Sequence, residues 1–307
     1  MQKVKVSFKY RLEYIIFYIY MLKLKLLPLF FFNLNKKIIN FFFKKFSKRH
    51  SKIITKNLKT AFPQKTEKET HKLKNKIYNH FSSVFIEIIY LYLKKKPNKI
   101  LKNIFIKNKE ALKNALNKNR GLILFSAHFG NWELIPYIFS RKLNLQIYGV
   151  AKEMNNPLVE KTVKNFRKYM GCNTINKKGS IKKIIKLLEN KNILYFLIDQ
   201  NTIERESVFV DFFSTKVSAV TSVSQLHLKK DIPILPVFLH YENDKIVLEI
   251  LEFINFKKTE NYNKDVLNLT QKCTTIIEEK IREYPEQWFW FHNRWKTKPK
   301  GEINDKR

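Results

Sequence analysis

The sequence predicts an α/β protein: a central, mostly parallel or mixed sheet flanked by helices, preceded by a hydrophobic N-terminal helix that anchors the chain to a membrane. Three observations predict this. Short apolar runs alternate with helical segments after residue 108, a rhythm typical of α/β layers. Residues 14–34 are almost wholly apolar. A chain of 307 residues with 44% hydrophobic content can bury a substantial core.

The N-terminal apolar segment, residues 14–34, would extend about 31 Å as a helix at ~1.5 Å per residue, close to the thickness of a hydrocarbon core. Lys23, Lys25 and Pro28 interrupt it, so a tilted or re-entrant anchor fits as well as a span, and a buried core helix stays an alternative. Residues 36–59 then alternate aromatic and basic side chains, as interfacial helices on anionic membranes do.

The remaining elements follow in order. Thr66 and Glu69 have the spacing of a capping box, which opens a helix that runs to about residue 95 and is ended by Pro97. Further helices are predicted over residues 108–119, 134–142, 158–170, 180–189, 218–228 and 264–282. Strands are predicted over residues 121–125, 145–151, 193–198, 232–240 and 245–254, with an apolar loop at 208–213.

The charge favours polyanionic partners. Sixty Lys and Arg against 26 Asp and Glu give +34, which suits nucleic acid, anionic lipid head groups or an acidic carrier protein. No zinc-knuckle, ribonucleoprotein or helix-turn-helix signature accompanies this charge, so nucleic acid is not expected and phosphorylated lipid is favoured. Cys172 and Cys273 are too few for a disulfide framework or a zinc site.

The main candidate site is the stretch Ser-Ala-His-Phe-Gly-Asn-Trp-Glu at residues 126–133, where a strand gives way to a helix. His128 and Glu133 are predicted to be a general base and the carboxylate that orients it. Gly130 would let the backbone approach a substrate closely, and Asn131 would cap the following helix. The alternative is a structural histidine beside a sheet.

Further polar residues fall near the same predicted sheet edge. Asp199 and Gln200 follow a strand and should emerge beside His128 if the strands are parallel, although such an Asp is equally often a turn cap. Lys152 follows another strand, and Lys178 precedes a helix whose N-terminal amides could hold a phosphate. Taken singly, each lysine also fits a solvated surface position.

Two motifs carry a family resemblance. The block at residues 128–133 resembles the H-x4-D/E motif of the glycerolipid and lysophospholipid acyltransferases. Its complete sequence, His-Phe-Gly-Asn-Trp-Glu, resembles the form of that motif in the lauroyl and myristoyl acyltransferases of lipid A biosynthesis. The C-terminal stretch Pro-Glu-Gln-Trp-Phe-Trp-Phe-His-Asn-Arg-Trp-Lys, which contains Arg294, looks like the closing motif of that family. One departure is Lys152-Glu153, where many members carry Arg-Pro; a lysine keeps the charge but loses forked hydrogen bonding.

The resemblance implies acyl transfer from an acyl carrier protein thioester to a hydroxyl of a lipid A precursor, with no cofactor and no metal. His128 would be the base, Glu133 its orienting acid, and Asn131 with amides near Gly130 the oxyanion contacts. The substrate-binding residues would be Gly130, Asn131, Lys152, Lys178, Asp199, Gln200 and Arg294.

The same resemblance implies a domain division and a location at a membrane. Residues 1–62 would be the anchor and basic interfacial helix and residues 63–307 the catalytic domain, on the cytoplasmic face of a bacterial inner membrane rich in anionic lipid. Three alternatives stay open: an acyltransferase with a lysophospholipid or other glycolipid acceptor, a metal hydrolase using His128 and Glu133, and a basic membrane-surface protein without catalysis.

Overall fold

The structure is a computed structural model that describes residues 6–26, 32–46, 48–94, 103–177, 179–203, 207–243 and 245–299. Its helices are α1 (Phe8–Leu26), α2 (Phe32–Phe46), α3 (Lys48–Ala61), α4 (Glu67–Lys94), α5 (Lys109–Leu116), α6 (Ile135–Lys142), α7 (Pro157–Tyr169), α8 (Ile181–Glu189), α9 (Ser222–Lys230) and α10 (Tyr262–Glu283). Its strands are β1 (Ile104–Lys107), β2 (Leu122–Ser126), β3 (Ile147–Ala151), β4 (Cys172–Asn176), β5 (Ile193–Leu197), β6 (Ser207–Phe212), β7 (Thr215–Val220), β8 (Ile234–Glu242) and β9 (Lys245–Ile250).

The described strands form a mixed, mostly parallel sheet of seven, in the order β1-β9-β8-β2-β5-β3-β4. Within this sheet the β8–β9 pairing is antiparallel, because a short turn joins these two strands, whereas the other neighbours are joined by helical crossovers or lie far apart in sequence. The predicted fold class is therefore confirmed for the sheet and its flanking helices.

Four strands escaped prediction from the sequence. β1 and β4 lie at the two edges of the sheet, and β4 reads Cys-Asn-Thr-Ile-Asn, so neither gives the continuous apolar run of a central strand. The β6–β7 hairpin replaces the predicted loop at 208–213, and the helix predicted from 218 begins instead at Ser222. The hairpin packs on α10, which covers its apolar face.

Two cores lie on the two faces of the sheet. Neighbouring residues of β2 and β5 point alternately into them, as the period-2 pleat requires. One core receives Ile123, Phe125, Leu194 and Phe196 together with α3, α4, α8, α10 and the C-terminal tryptophans. The other receives Leu122, Leu124, Ile193 and Tyr195 together with α5, α6 and α7. Both faces are therefore buried, which leaves the strand ends as the polar edge.

The N-terminal segment differs in part from the prediction. The apolar residues 14–34 are divided between α1 and α2, and residues 27–31, including Pro28, lie outside the described part of the chain. No helix within the described ranges has both the length and the apolar character needed to cross a bilayer. Membrane anchoring by this segment stays a prediction.

The start of α4 is as predicted. The Thr66 backbone N–H donates to Glu69 Oε2 at 2.8 Å, and the Glu69 N–H donates back to Thr66 Oγ1 at 3.2 Å, which is the reciprocal pattern of a capping box. The helix that this capping box opens runs for 28 residues.

Candidate active site

The centre of the site is a hydrogen-bonded pair, His128 and Asp199. Asp199 Oδ1 lies 2.8 Å from His128 Nδ1, and Asp199 Oδ2 accepts the His128 backbone N–H at 3.0 Å. Trp288 Nε1 donates a third hydrogen bond to Asp199 Oδ2 at 2.8 Å. The Asp199 side chain is 2% exposed and that of His128 is 20% exposed, so solvent reaches only the imidazole.

These contacts keep the Asp199 carboxyl ionised. Burial disfavours the ionised carboxyl, but the interaction with His128 and the hydrogen bonds from His128 and Trp288 hold the pKa of Asp199 below its ordinary value. An ionised Asp199 accepts the proton of Nδ1, which leaves the lone pair on His128 Nε2. Gln200 Nε2 lies 3.3 Å from that atom, on the open side of the ring.

The predicted partnership of His128 with Glu133 is wrong, because the carboxylate that holds the imidazole is Asp199. Glu133 lies in a short 3₁₀ turn, Trp132–Leu134, and is bound by Arg167 of α7. Arg167 donates through Nε to Glu133 Oε2 at 3.0 Å and through Nη2 to Oε1 at 2.5 Å. Burial opposes the charged guanidinium, yet Glu133 raises the pKa of Arg167, so the guanidinium stays charged.

Gly130 has a role in the fold. Its φ of +55° favours glycine, and a Cβ there would lie 1.9 Å from the Leu239 carbonyl oxygen. Its N–H donates to the Gln287 carbonyl at 2.8 Å, so this amide is already engaged. The structure therefore removes Gly130 from the predicted oxyanion contacts and explains it by its close contact with β8.

Asn131 does not cap the following helix as predicted. Its buried side chain donates through Nδ2 to Glu87 Oε2 of α4 at 2.7 Å, and the Tyr241 hydroxyl of β8 donates to the same oxygen. Burial raises the pKa of Glu87 despite these two hydrogen bonds. Because its amide nitrogen is used here, Asn131 is a support of the loop that carries His128 and not an oxyanion contact.

The C-terminal aromatic segment pairs with the loop that carries His128. Phe129 and Trp288 form an antiparallel bridge, and the Phe289 N–H donates to the His128 carbonyl at 2.9 Å. Arg294, predicted to bind substrate, is 1% exposed; its Nη1 donates to the Ser218 carbonyl at 2.5 Å. Burial lowers the pKa of Arg294 to about 10. It is therefore a structural residue of the core.

The two predicted lysines lie apart from the pair. Lys152 is exposed just beyond the end of β3, which places it on the carboxyl edge of the sheet. Lys178 lies outside the described residues. Of the polar residues predicted for the edge, the structure brings Asp199 and Gln200 to His128.

An apolar cavity of about 700 Å³ opens beside the imidazole. The Trp132 ring meets the imidazole edge-on at 5.0 Å between centroids, and the centroid of the Phe289 ring lies 6.2 Å from that of the imidazole. Both rings line the cavity, as do Glu133 and Arg167, and α1, α2, α4 and α7 supply most of its other walls. A long apolar group is the ligand that such walls would hold.

Other chemistries find little support in the described residues. Across them, no three His, Cys, Asp or Glu side chains come together in a way that could hold a metal ion. Cys172 and Cys273 are buried free thiols, and burial raises the pKa of each to about 12, so neither is a thiolate at neutral pH.

Three residues of the site were missed by the sequence reasoning: Arg167, Trp288 and Glu87. Arg167 and Glu87 look like ordinary charged positions on amphipathic helices, and only the fold shows that they face inward. Trp288 belongs to the aromatic C-terminal motif, so the sequence indicated that its segment is important. Nothing in the sequence indicates that its indole reaches Asp199.

A His–Asp pair at the carboxyl edge of a parallel sheet, beside an apolar cavity, is an arrangement that suits an enzyme whose substrate carries a long apolar chain. The sequence profile of the family described as bacterial lipid A biosynthesis acyltransferase matches residues 1–297, and the chain belongs to that family. It is therefore an acyltransferase of lipid A biosynthesis.

Individual relatives agree. The chain is 22% identical over 275 residues to the lipid A biosynthesis lauroyltransferase of Escherichia coli K12, a match that covers 84% of this chain and 82% of the relative. It is 25% identical over 260 residues to the lipid A biosynthesis palmitoleoyltransferase of the same organism, covering 84% and 83%. It is 22% identical over 248 residues to the lipid A biosynthesis myristoyltransferase, also of that organism, covering 80% and 75%.

Proposed function

We propose that this protein transfers a fatty acyl chain from an acyl carrier protein thioester to a hydroxyl of a phosphorylated, acylated glucosamine disaccharide. The observation that carries the proposal is the His128–Asp199 pair beside the apolar cavity. The cavity offers a place for the acyl chain, and the imidazole offers a base at the point where its thioester end would lie.

His128 is the general base of the proposed reaction. The acceptor hydroxyl gives its proton to His128 Nε2 as its oxygen attacks the thioester carbonyl. The tetrahedral intermediate then collapses, the carbon–sulfur bond breaks, and the departing thiolate takes the proton back from Nε2. The products are an ester and a free carrier thiol. Asp199 keeps the other proton on Nδ1 and stabilises the imidazolium while it exists.

Arg167 takes over the charge-stabilising role that the sequence had assigned to Asn131 and the Gly130 amide. Its Nε and Nη2 bind Glu133, and Arg167 is also one of the residues that line the cavity. A fixed positive charge in an apolar wall stabilises negative charge that develops on the thioester oxygen. Glu133 holds that guanidinium in place, which gives the motif carboxylate a function that does not need contact with His128.

The basic surface suits two acidic partners, the carrier protein and the phosphates of the acceptor. With a net charge of +34, long-range attraction would raise the rate at which either partner arrives. We place the reaction on the cytoplasmic face of a bacterial inner membrane, with residues 1–62 as the membrane-associated part and residues 63–307 as the catalytic domain.

The test is a transfer assay. The purified protein in detergent is incubated with a set of acyl carrier protein thioesters and a lipid A precursor, and mass spectrometry reads the mass added. We expect an increment of one fatty acyl chain, abolished in the His128→Ala variant while that variant keeps its fold. A lysophospholipid and a second glycolipid serve as competing acceptors, and preferred acylation of either would overturn the proposed substrate. Undiminished transfer by the variant would overturn the role of His128.

A further inference from the structure

Helix α1 has apolar side chains on two opposite faces, and its inner face belongs to the cavity. Phe17 and Met21 line the cavity, and Met21 is 5% exposed. The helix packs against α4 and α7, and Asn156 at the start of α7 donates through Nδ2 to the Tyr10 carbonyl at 3.0 Å and to Glu13 at 3.2 Å. These two hydrogen bonds fix α1 to the α/β body, so the inner wall has a defined position.

The outer face of α1 is apolar and exposed. Ile15, Ile16 and Ile19 are 52%, 62% and 60% exposed. Similar exposure is found at Phe8, Leu12, Tyr18 and Leu22 of the same helix and at Leu34, Ile38, Phe41 and Phe42 of α2. Exposure of apolar surface to water is unfavourable by about 25 cal/mol per Å², so we expect a face of this extent to be buried against another apolar surface.

The chemistry around this outer face indicates what covers it. Helix α2 carries four lysines and no Asp or Glu, and Lys45 Nζ lies 5.3 Å above the Phe41 ring. Exposed aromatics interleaved with lysines match the boundary of a bilayer with anionic head groups, where rings enter the acyl region and ammonium groups meet phosphates. An aqueous protein partner would not supply both environments side by side.

The exposed face and the cavity meet at shared residues. Phe42 of α2 and Phe85 of α4 are 52% and 51% exposed, and both also line the cavity. The apolar surface is therefore continuous from the outside of α1 and α2 into the cavity. Helix α1 lies between the two, with Phe17 and Met21 inside and Ile15 and Ile19 outside.

We infer that α1 is a wall shared by the membrane and the acyl site: its outer face lies in an anionic bilayer while Phe17 and Met21 contact the acyl chain and select its length. This rests on the proposed acyl transfer. The N-terminal helix then has a second task beyond attachment, since its inner side chains decide which donor fits. A pocket discriminates one methylene by roughly 10- to 200-fold at best, so a change of one wall residue is measurable.

The experiment compares inner and outer substitutions in the full-length chain. Phe17→Ala enlarges the cavity and Met21→Trp fills it, while Ile15→Asn and Ile19→Asn are matched changes on the outer face. Each protein in detergent receives an equal mixture of acyl carrier protein thioesters that differ by two carbons, and mass spectrometry gives the product distribution. We expect Phe17→Ala to shift products to longer chains and Met21→Trp to shorter ones, by about 10-fold in the ratio of neighbouring lengths.

The outer substitutions should leave that distribution unchanged and weaken co-sedimentation with vesicles containing phosphatidylglycerol, more than with vesicles of phosphatidylcholine alone. Phe17→Leu and Met21→Leu provide milder changes should the larger ones unfold the protein, and thermal unfolding identifies that case. Inner variants with an unaltered distribution, or outer variants that shift it equally, would overturn the inference. So would outer variants that change the oligomeric state in place of vesicle binding. If the unaltered protein transfers no acyl chain, it is the proposed function that fails.

Discussion

Asp199 reaches His128 because their two strands end in register. Ser126 of β2 pairs with Leu197 of β5, and both functional residues lie two positions beyond that pair. Parallel neighbouring strands place equivalent positions side by side, which brings Asp199 Oδ1 within 2.8 Å of His128 Nδ1. The His128–Asp199 pair is thus assembled by sheet register and not by closeness along the chain.

Asp199→Asn should lower kcat by on the order of 10²–10⁴-fold, because an amide cannot stabilise the imidazolium and can favour the wrong tautomer. Steady-state kinetics of the variant and of the unaltered protein measures the change in kcat.

Glu133→Gln is the comparison for that variant. It leaves Asp199 and the imidazole in place and acts on Arg167, so it should lower kcat by less than Asp199→Asn does. A larger loss of kcat in Glu133→Gln than in Asp199→Asn would indicate that Glu133, and not Asp199, is the carboxylate on which the general base depends.

Substitutions of Arg167 should separate charge from geometry. Arg167→Met leaves the Glu133 carboxylate, 15% exposed, without its partner and should destabilise the fold by about 1–3 kcal/mol as well as abolish most activity. Arg167→Lys keeps the charge but not the forked hydrogen bonds and should retain more of both. Urea unfolding and kcat are the measurements.

The double variant Arg167→Met with Glu133→Gln is the control for that pair. It removes the unpaired charge, so stability should recover while activity stays low. Recovery of activity together with stability would show that the ion pair is purely structural.

Gly130→Ala should destabilise the protein by about 3 kcal/mol or more, because the added Cβ meets backbone that cannot move aside and φ is positive. Gly179→Ala is the control, because Gly179 also has a positive φ, of +72°, but nothing lies within 4 Å of the Cβ that the substitution adds. It should cost about 1 kcal/mol. Equal losses of unfolding free energy in the two variants would contradict the close contact with Leu239.

His80 should make stability depend on pH. It packs between Phe81 and Tyr241, and burial lowers its pKa to about 4 from 6.5, despite a hydrogen bond with the Gly130 backbone. The unfolded chain then binds more protons than the native one between these values, so stability is lost as pH falls from 6.5 to about 4. The loss is at most about 3 kcal/mol.

Unfolding curves at several pH values test this. His80→Phe should flatten the slope between pH 6.5 and 4 by the contribution of one proton. A slope that persists in His80→Phe would assign the pH dependence to other groups.

Salt should weaken donor binding if the basic surface attracts an acidic carrier. Between low and physiological ionic strength, the affinity for an acyl carrier protein thioester should fall by about 5-fold or more. Acyl pantetheine has the same thioester without the acidic protein, so its KM should change little. Indifference of both donors to salt would remove electrostatics from the proposal.

The sequence predicted the sheet and the edge where the site lies, because the central strands are continuous apolar runs whose ends carry polar residues. It even placed Asp199 and Gln200 beside His128, on the argument that parallel strands end together. It chose the wrong carboxylate since a spacing of five residues looks like proximity, whereas the 3₁₀ turn at Trp132–Leu134 directs Glu133 toward α7.

Other parts lay beyond prediction because they depend on tertiary contacts. Asn131 has a typical capping composition, but the buried Glu87 carboxylate, which lies 44 positions earlier, accepts its amide. Arg294 belongs to a recognisable motif. Its burial, however, depends on the Ser218 carbonyl of the β6–β7 hairpin, and the sequence did not predict that hairpin. Edge strands and long-range side-chain partners are where pattern reasoning is weakest.

The contribution of Trp288 to Asp199 has a consequence for the order in which the enzyme is made. Synthesis delivers His128 and Asp199 well before the tryptophan that completes their hydrogen bonds and before Gln287 and Phe289, which pair with the His128 loop. Asn57 of α3 also lacks its partners until the carbonyls of Trp290 and His292, at 2.9 Å and 2.7 Å, have been made. A chain that lacked residues 287–292 would therefore leave Asp199 with one hydrogen bond fewer, the His128 loop without its backbone partners and Asn57 without both of its acceptors.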